Sequence, residues 1–287
     1  MLKATIHDLE MFENFLNVIN RFVQQCEFDL HTDKVNVFCS NQRDFSSSRL
    51  LLDSNVITLD ENQKIDHIKI YIRDVIAFKS AISIVRDVEG VNKIQILLDD
   101  VENDLIYDDS EKILVKSIKY KGKKGGKFNL ITVDKSVILN YISKELTRKL
   151  EQNLIFNIIP KNLDILQNKT NNIVNISEVS VYIYPDTAQN NIILDLNSKQ
   201  SSSTNSISLP ISNGYKGSLE GFPYKEIAIH ESAFRILNIL RTTNEENLKC
   251  FFNIENNVFF IESEISSKDN DDYKIHSRLL IQMIKGK

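Results

Sequence analysis

Five histidines, three cysteines and eight glycines are the residues with which this chain of 287 could hold a metal, carry a nucleophile or cradle a phosphate. Their spacing fits none of these chemistries. His7, His31, His67, His230 and His276 never fall as H-x-x-x-H or H-E-x-x-H. Cys26, Cys39 and Cys250 are odd in number and contain no C-x-x-C, so no zinc centre and no disulfide framework is expected. The segment Lys121-Gly-Lys-Lys-Gly-Gly-Lys127 matches neither G-x-x-x-x-G-K-[ST] nor G-x-G-x-x-G, and no G-x-S-x-G elbow occurs. The acidic run Asp99, Asp100, Glu102, Asp104, Asp108, Asp109 and Glu111 lacks the glycine and terminal glutamate of an EF-hand; it reads as a solvated edge that discourages strand addition. The chain therefore reads as a non-enzyme without metal or cofactor.

Charge offers a different chemistry. The net charge of -4 provides no bulk field that would recruit a polyanion, so any such contact must be local. Cations do cluster, on the outward faces of helical segments. One face carries Lys79, Ser83 and Arg86; a second carries Asn140, Ser143, Lys144, Thr147, Arg148 and Glu151. A third carries Glu231, Arg235, Asn238 and Thr242, flanked by Arg241, and a weaker one carries Asn14, Asn17, Asn20 and Arg21 against Glu10 and Glu13. Acid is concentrated elsewhere, on the run from Asp99 and at Asp269, Asp271 and Asp272. Such a division could accept a polyanion on the helix side and repel it on the other.

The elements that position these faces repeat. Ala4 to His7 alternates as a strand; Asp8 then caps a helix over 8–25 through Leu9, Phe12, Phe15, Leu16, Ile19 and Val23. A hairpin follows, Glu27 to His31 and Val35 to Ser40. The same order recurs from Ile68 with Asp74 as cap and a hairpin of Lys93–Leu98 and Asp104–Tyr107, and from Asn129 with Asp134 as cap. It recurs again from Glu226, where His230 replaces the aspartate. Four strand-helix-hairpin units predict an α+β fold of two similar domains, 1–120 and 128–287, joined by a glycine-rich connector at 121–127. The Asn/Ser-rich stretch 167–221 reads as a loop or partly disordered excursion. No apolar run is long enough to span a membrane and the N-terminus lacks a signal-peptide pattern, so a cytoplasmic protein with no membrane partner is expected.

Two halves of two such units, with basic stripes on the helices, resemble the DNA sliding clamps: the trimeric processivity factors of large phages and, more remotely, proliferating cell nuclear antigen (PCNA). The resemblance covers nearly the whole chain and is architectural, with no short diagnostic motif. It implies helices on the inner face of antiparallel sheets, lining a homotrimeric ring around duplex DNA, with a DNA polymerase and a clamp loader as partners and no cofactor. It also implies that Lys79, Arg86, Lys144, Arg148, Arg235 and Arg241, with Arg21 and Lys149 as weaker members, face the phosphates. A partner-peptide groove would involve Tyr120, Phe128, Ile281 and Met283. The host cytoplasm would be the site of action of a viral protein. The alternative reading is a viral structural or assembly module with no DNA role.

Overall fold

A computed structural model describes residues 2–40, 48–60, 65–100, 115–132, 152–159, 161–162, 179–200, 203–218, 227–229, 248–253, 255, 258–267, 270–282 and 284–285. The chain divides into two interleaved compact units, the first comprising Met1–Ser40, Leu50–Ile142 and Ile265–His276, the second Asn41–Arg49, Ser143–Glu264 and Ser277–Lys287.

The first unit contains β1 (Leu2–Ile6), α1 (Leu9–Phe22), β2 (Cys26–His31), β3 (Val35–Ser40), β4 (Ser48–Ser54), β5 (Ile57–Leu59) and β6 (His67–Ile72). It continues with α2 (Val75–Glu89), β7 (Ile94–Asp100), β8 (Val115–Lys121) and β9 (Lys127–Ile131). The two helices start where the aspartates place them. Asp8 accepts a hydrogen bond from the Met11 amide and Asp74 one from the Ala77 amide, each at 2.9 Å, which satisfies amides that have no partner inside the helix. Gly90, left-handed at φ 64°, closes α2. Strands β5-β1-β7-β8-β9 form one antiparallel sheet, and β4-β3-β2-β6 follow one another in a second. The core is aromatic: Phe12, Phe15, Phe28 and Phe78 are all at most 1% exposed. Phe12 meets Phe78 edge-on at 5.3 Å and Phe15 meets Phe28 at 5.8 Å, so this cluster ties both helices to β2. Burying each ring is worth roughly 2–3 kcal/mol against leaving it in water.

The strand-helix-hairpin order thus holds for β1-α1-β2-β3 and for β6-α2-β7-β8. The second hairpin differs from the expected one. β7 pairs with β8, Val115–Lys121, while Asp104–Tyr107 lies outside the described residues. The expected connector is also corrected: residues 121–127 are the turn of the β8–β9 hairpin, inside the first unit, with Lys121 paired opposite Lys127.

The second unit contains β10 (Leu154–Asn157), β11 (Val179–Asp186), β12 (Asn191–Gln200), β13 (Ser203–Pro210), β14 (Lys216–Gly217) and β15 (Ile227–Ile229). It continues with β16 (Lys249–Asn253), β17 (Val258–Ser266), β18 (Lys274–Gln282) and β19 (Ile284–Lys285). Its sheets run β14-β10-β16-β17-β18 and β13-β12-β11-β15-β19. The β16–β17 hairpin is apolar on both faces, because Phe251 pairs with Phe260 and Phe252 with Phe259 in adjacent registers, with rings 4.7 and 4.8 Å apart. All four are buried, which explains why apolar residues stand side by side at Phe251-Phe252 and Phe259-Phe260 instead of alternating with polar ones. The excursion at 167–221 is corrected in its described part. Residues 179–200 and 203–210 form three sequential antiparallel strands, β11-β12-β13, in register from Val179 opposite Ser198 to Gln200 opposite Ser203. Ile183, Ile192 and Leu194 at 0% exposure supply the buried face, and serine-rich ends suit a ladder whose bonds come from the backbone. The helices expected after Asp134 and at His230 lie outside the described residues. No described helix is long and apolar enough to cross a membrane.

Candidate nucleic-acid interface

Helices α1 and α2 pack against one another, and the side chains they leave to solvent form the describable part of the predicted basic surface. On α1, Glu10 is exposed and Glu13, Asn14, Asn17 and Asn20 are half-buried; Arg21 falls in the helix, but its side chain lies outside the described residues. On α2, Lys79, Ser83 and Arg86 are half-buried and Ser80 is exposed. The two predicted cations of α2 differ in their surroundings. The Arg86 guanidinium forms an ion pair with Glu13 of α1 at 2.7 Å and a looser one with Asp87 at 3.7 Å, so much of its charge is balanced within the unit. Among the described residues no ion pair engages Lys79. Lys144, Arg148, Lys149, Arg235 and Arg241 lie outside the described residues.

Two features of this surface were missed in the sequence. The first is apolar: Ile76, Ile84 and Val88 on α2 are 48%, 58% and 44% exposed, along one stripe, and Ile131 on the edge strand β9 is 65% exposed. Their spacing of eight and four is a helical signal on the side away from Phe78, Ile82 and Val85, and it was available in the sequence. The second is an anionic anchor. Glu89, the last residue of α2, is only 5% exposed and has its carboxylate inside the Lys121–Lys127 turn. There it accepts hydrogen bonds from the Gly126 amide at 2.7 Å and from the Lys124 amide at 3.1 and 3.2 Å, while the Gly122 amide bonds to the Gly126 carbonyl across the turn. These amide bonds, led by that from Lys124, hold the Glu89 carboxyl below the usual range. The glycines are explained by the close approach. A side-chain carbon on Gly126 would lie 2.8 Å from Glu89 Oε1, and one on Gly122 would overlap the carboxylate outright.

Tyr120 and Phe128, two of the residues assigned to a partner groove, lie opposite one another in the β8–β9 register and stack at 5.8 Å; Phe128 also meets Phe78 edge-on at 6.2 Å. Burial pushes the Tyr120 hydroxyl up. They are half-buried packing residues, beside a cleft of about 400 Å³ lined by Ile72, Ala77, Phe78, Leu130 and Ile131. The Ile281 side chain and all of Met283 lie outside the described residues.

Among the described residues no three His, Cys, Asp or Glu side chains are placed to hold a metal ion. Cys26, Cys39 and Cys250 are free and buried, and burial raises each thiol pKa. Asp99 on β7 is paired to Lys119, whose ammonium holds its carboxyl down.

No protein-family model matches the chain, and no curated protein matches it in sequence. Solved structures do. PCNA from Entamoeba histolytica superposes with a TM-score of 0.61 at 13% identity over 99% of both chains. PCNA from A. fulgidus, solved with the C-terminal region of FEN-1 bound, gives 0.62 at 8% identity over 100% of both. The PCNA2–PCNA3 complex from Sulfolobus tokodaii gives 0.59 at 11% identity over 98% of both. The chain therefore has the fold of the PCNA-like sliding clamps.

Proposed function

We propose that the chain is a DNA polymerase processivity factor, a ring that encircles duplex DNA and tethers replication proteins by sliding without sequence preference. The observation that carries this reading is the reach of the likeness: it extends over 98 to 100% of the chain and of each clamp, so a shared module inside an unrelated protein does not account for it. The role is a non-enzymatic scaffold. Its phosphate contacts are Lys79 together with Lys144, Arg148, Lys149, Arg235, Arg241 and Arg21. Arg86 contributes less because Glu13 balances it. Lysines and arginines that meet only phosphates carry no base information, and that is what sliding requires.

The ring is a homotrimer, six domains from three chains, closed by edge strands. Support comes from β9, the last strand of its sheet, and from the exposed Ile131, Ile76, Ile84 and Val88 on β9 and α2, two elements that pack together through Phe128 and Phe78. A polymerase and a clamp loader are the partners, docking near Tyr120, Phe128, Ile281 and Met283, as the resemblance to the trimeric phage factors implies.

Light scattering of the purified protein should give three times the chain mass. Protein trapped on circular duplex should leave when the circle is cut, by running off the ends. A strict monomer at micromolar concentration, or protein that stays as firmly on linear DNA as on circles, would overturn encirclement.

A further inference from the structure

The turn at 121–127 concentrates cations in a way that the fold alone does not require. Lys121, Lys123, Lys124 and Lys127 are all exposed. Lys121 and Lys127 are paired directly opposite one another, a like-charge arrangement that disfavours the hairpin. The Glu89 carboxylate points inward to the backbone amides, and among the described residues no ion pair engages any of the four ammonium groups. Glu89 thus fixes the turn at the end of α2; its carboxylate attracts the Lys124 ammonium without forming an ion pair, and the turn keeps a net positive charge.

The geometry points to the tip of this turn, Lys123 and Lys124, as a contact site for the phosphodiester backbone of duplex DNA, an inference that rests on the clamp reading. Three observations support it. Backbone amides locked onto a buried carboxylate present the tip as a fixed element, so little conformational freedom is lost when it meets a ligand. The tip adjoins the C-terminal end of α2, the helix that carries Lys79. The Lys124 ammonium lies 3.6 Å from where a side chain on Gly90 would begin, so the cation sits over the end of that helix. The contacts are ammonium to phosphate oxygen, without base readout, and so compatible with sliding.

The test compares the wild-type protein with Lys123→Gln/Lys124→Gln, binding a short fluorescent duplex across a salt series. Losing two phosphate contacts should lower the magnitude of the slope of log K against log salt by about 1.8, so that between about 50 and 200 mM salt the wild type loses roughly twelvefold more affinity than the variant. The exposed side chains make the variant's thermal melt the control for folding, expected unchanged. If the wild type binds duplex with a salt slope and the variant reproduces it, the tip is not a contact, although the clamp reading stands. If the wild type shows no salt-dependent binding to duplex and no retention on circles, both are overturned. A variant effect on binding to an acidic polypeptide, with none on duplex, would assign the tip to a protein partner and likewise overturn the inference.

Discussion

Arg86 is the predicted phosphate contact whose surroundings are best defined, and they make its behaviour calculable. Its guanidinium sits 2.7 Å from the Glu13 carboxylate, with side chains 34% and 16% exposed, so a phosphate would have to displace an existing partner to reach it. Replacing Glu13 by glutamine removes that partner and leaves the shape of the α1–α2 contact nearly unchanged. The released guanidinium should add one phosphate contact, steepening the salt slope of duplex binding by about 0.9, or about 3.5-fold more affinity lost between about 50 and 200 mM salt. Asp87, 3.7 Å away and 71% exposed, is too solvated to replace Glu13. The same change should weaken the helix pair by at most about 1 kcal/mol, the upper end for partly exposed ion pairs. A double-mutant cycle of Glu13→Gln and Arg86→Gln, read by denaturant unfolding and by fluorescence anisotropy with duplex, separates the two effects. Arg86→Gln alone should barely change the salt slope. It should still lower affinity, because an unpaired Glu13 repels phosphate. A full loss of about 0.9 in slope on Arg86→Gln, with no change on Glu13→Gln, would refute the argument that the pair withholds Arg86 from DNA.

Two further outcomes are expected. Gly217, at φ 119°, has the Asn153 carbonyl where a side chain would begin; Gly217→Ala should therefore destabilise the second unit by about 1–3 kcal/mol or more, through loss of the β14–β10 pairing, measured by thermal unfolding. Because the folded Glu89 carboxyl is held low, its contribution is complete above the ordinary glutamate pKa of about 4.3 and fades as pH falls below it. Amide exchange at Lys124 and Gly126 should accelerate over that acid window in the wild type, after correction for intrinsic rates, and should be fast at all pH values in Glu89→Gln.

How far the sequence could be read depends on the range over which each signal acts. Asp8 and Asp74 bond to amides three residues on, so both caps and both described helices were visible in local pattern. The buried stripe of Leu9, Phe12, Phe15, Leu16 and Ile19 was equally local. The turn at 121–127 was misread because its glycines answer to a carboxylate on another element; by composition alone, Gly-Lys-Lys-Gly-Gly is a linker. The Arg86–Glu13 pair is likewise set by the packing of two helices, so a face that looked basic in isolation is partly neutral in place. The strands β11, β12 and β13 were concealed by serine and asparagine, residues that weaken a propensity argument but pair through their backbones as well as any others.

The cap of α1 has a consequence for the order in which the protein can be made. Besides the Met11 amide, the buried Asp8 carboxylate accepts a hydrogen bond from Ser267, 259 residues further along the chain, and His7 beside it stacks on Tyr273 at 5.3 Å. The first unit therefore includes a segment that leaves the ribosome long after its helices do. Until then α1 has its local cap but not the hairpin tip that covers it, and the first unit must wait, incompletely closed and with apolar surface accessible, through translation of nearly all of the second. Nascent chains stalled before Ser267 should accordingly bind holdase chaperones more strongly than chains stalled beyond Tyr273 with the exit tunnel cleared.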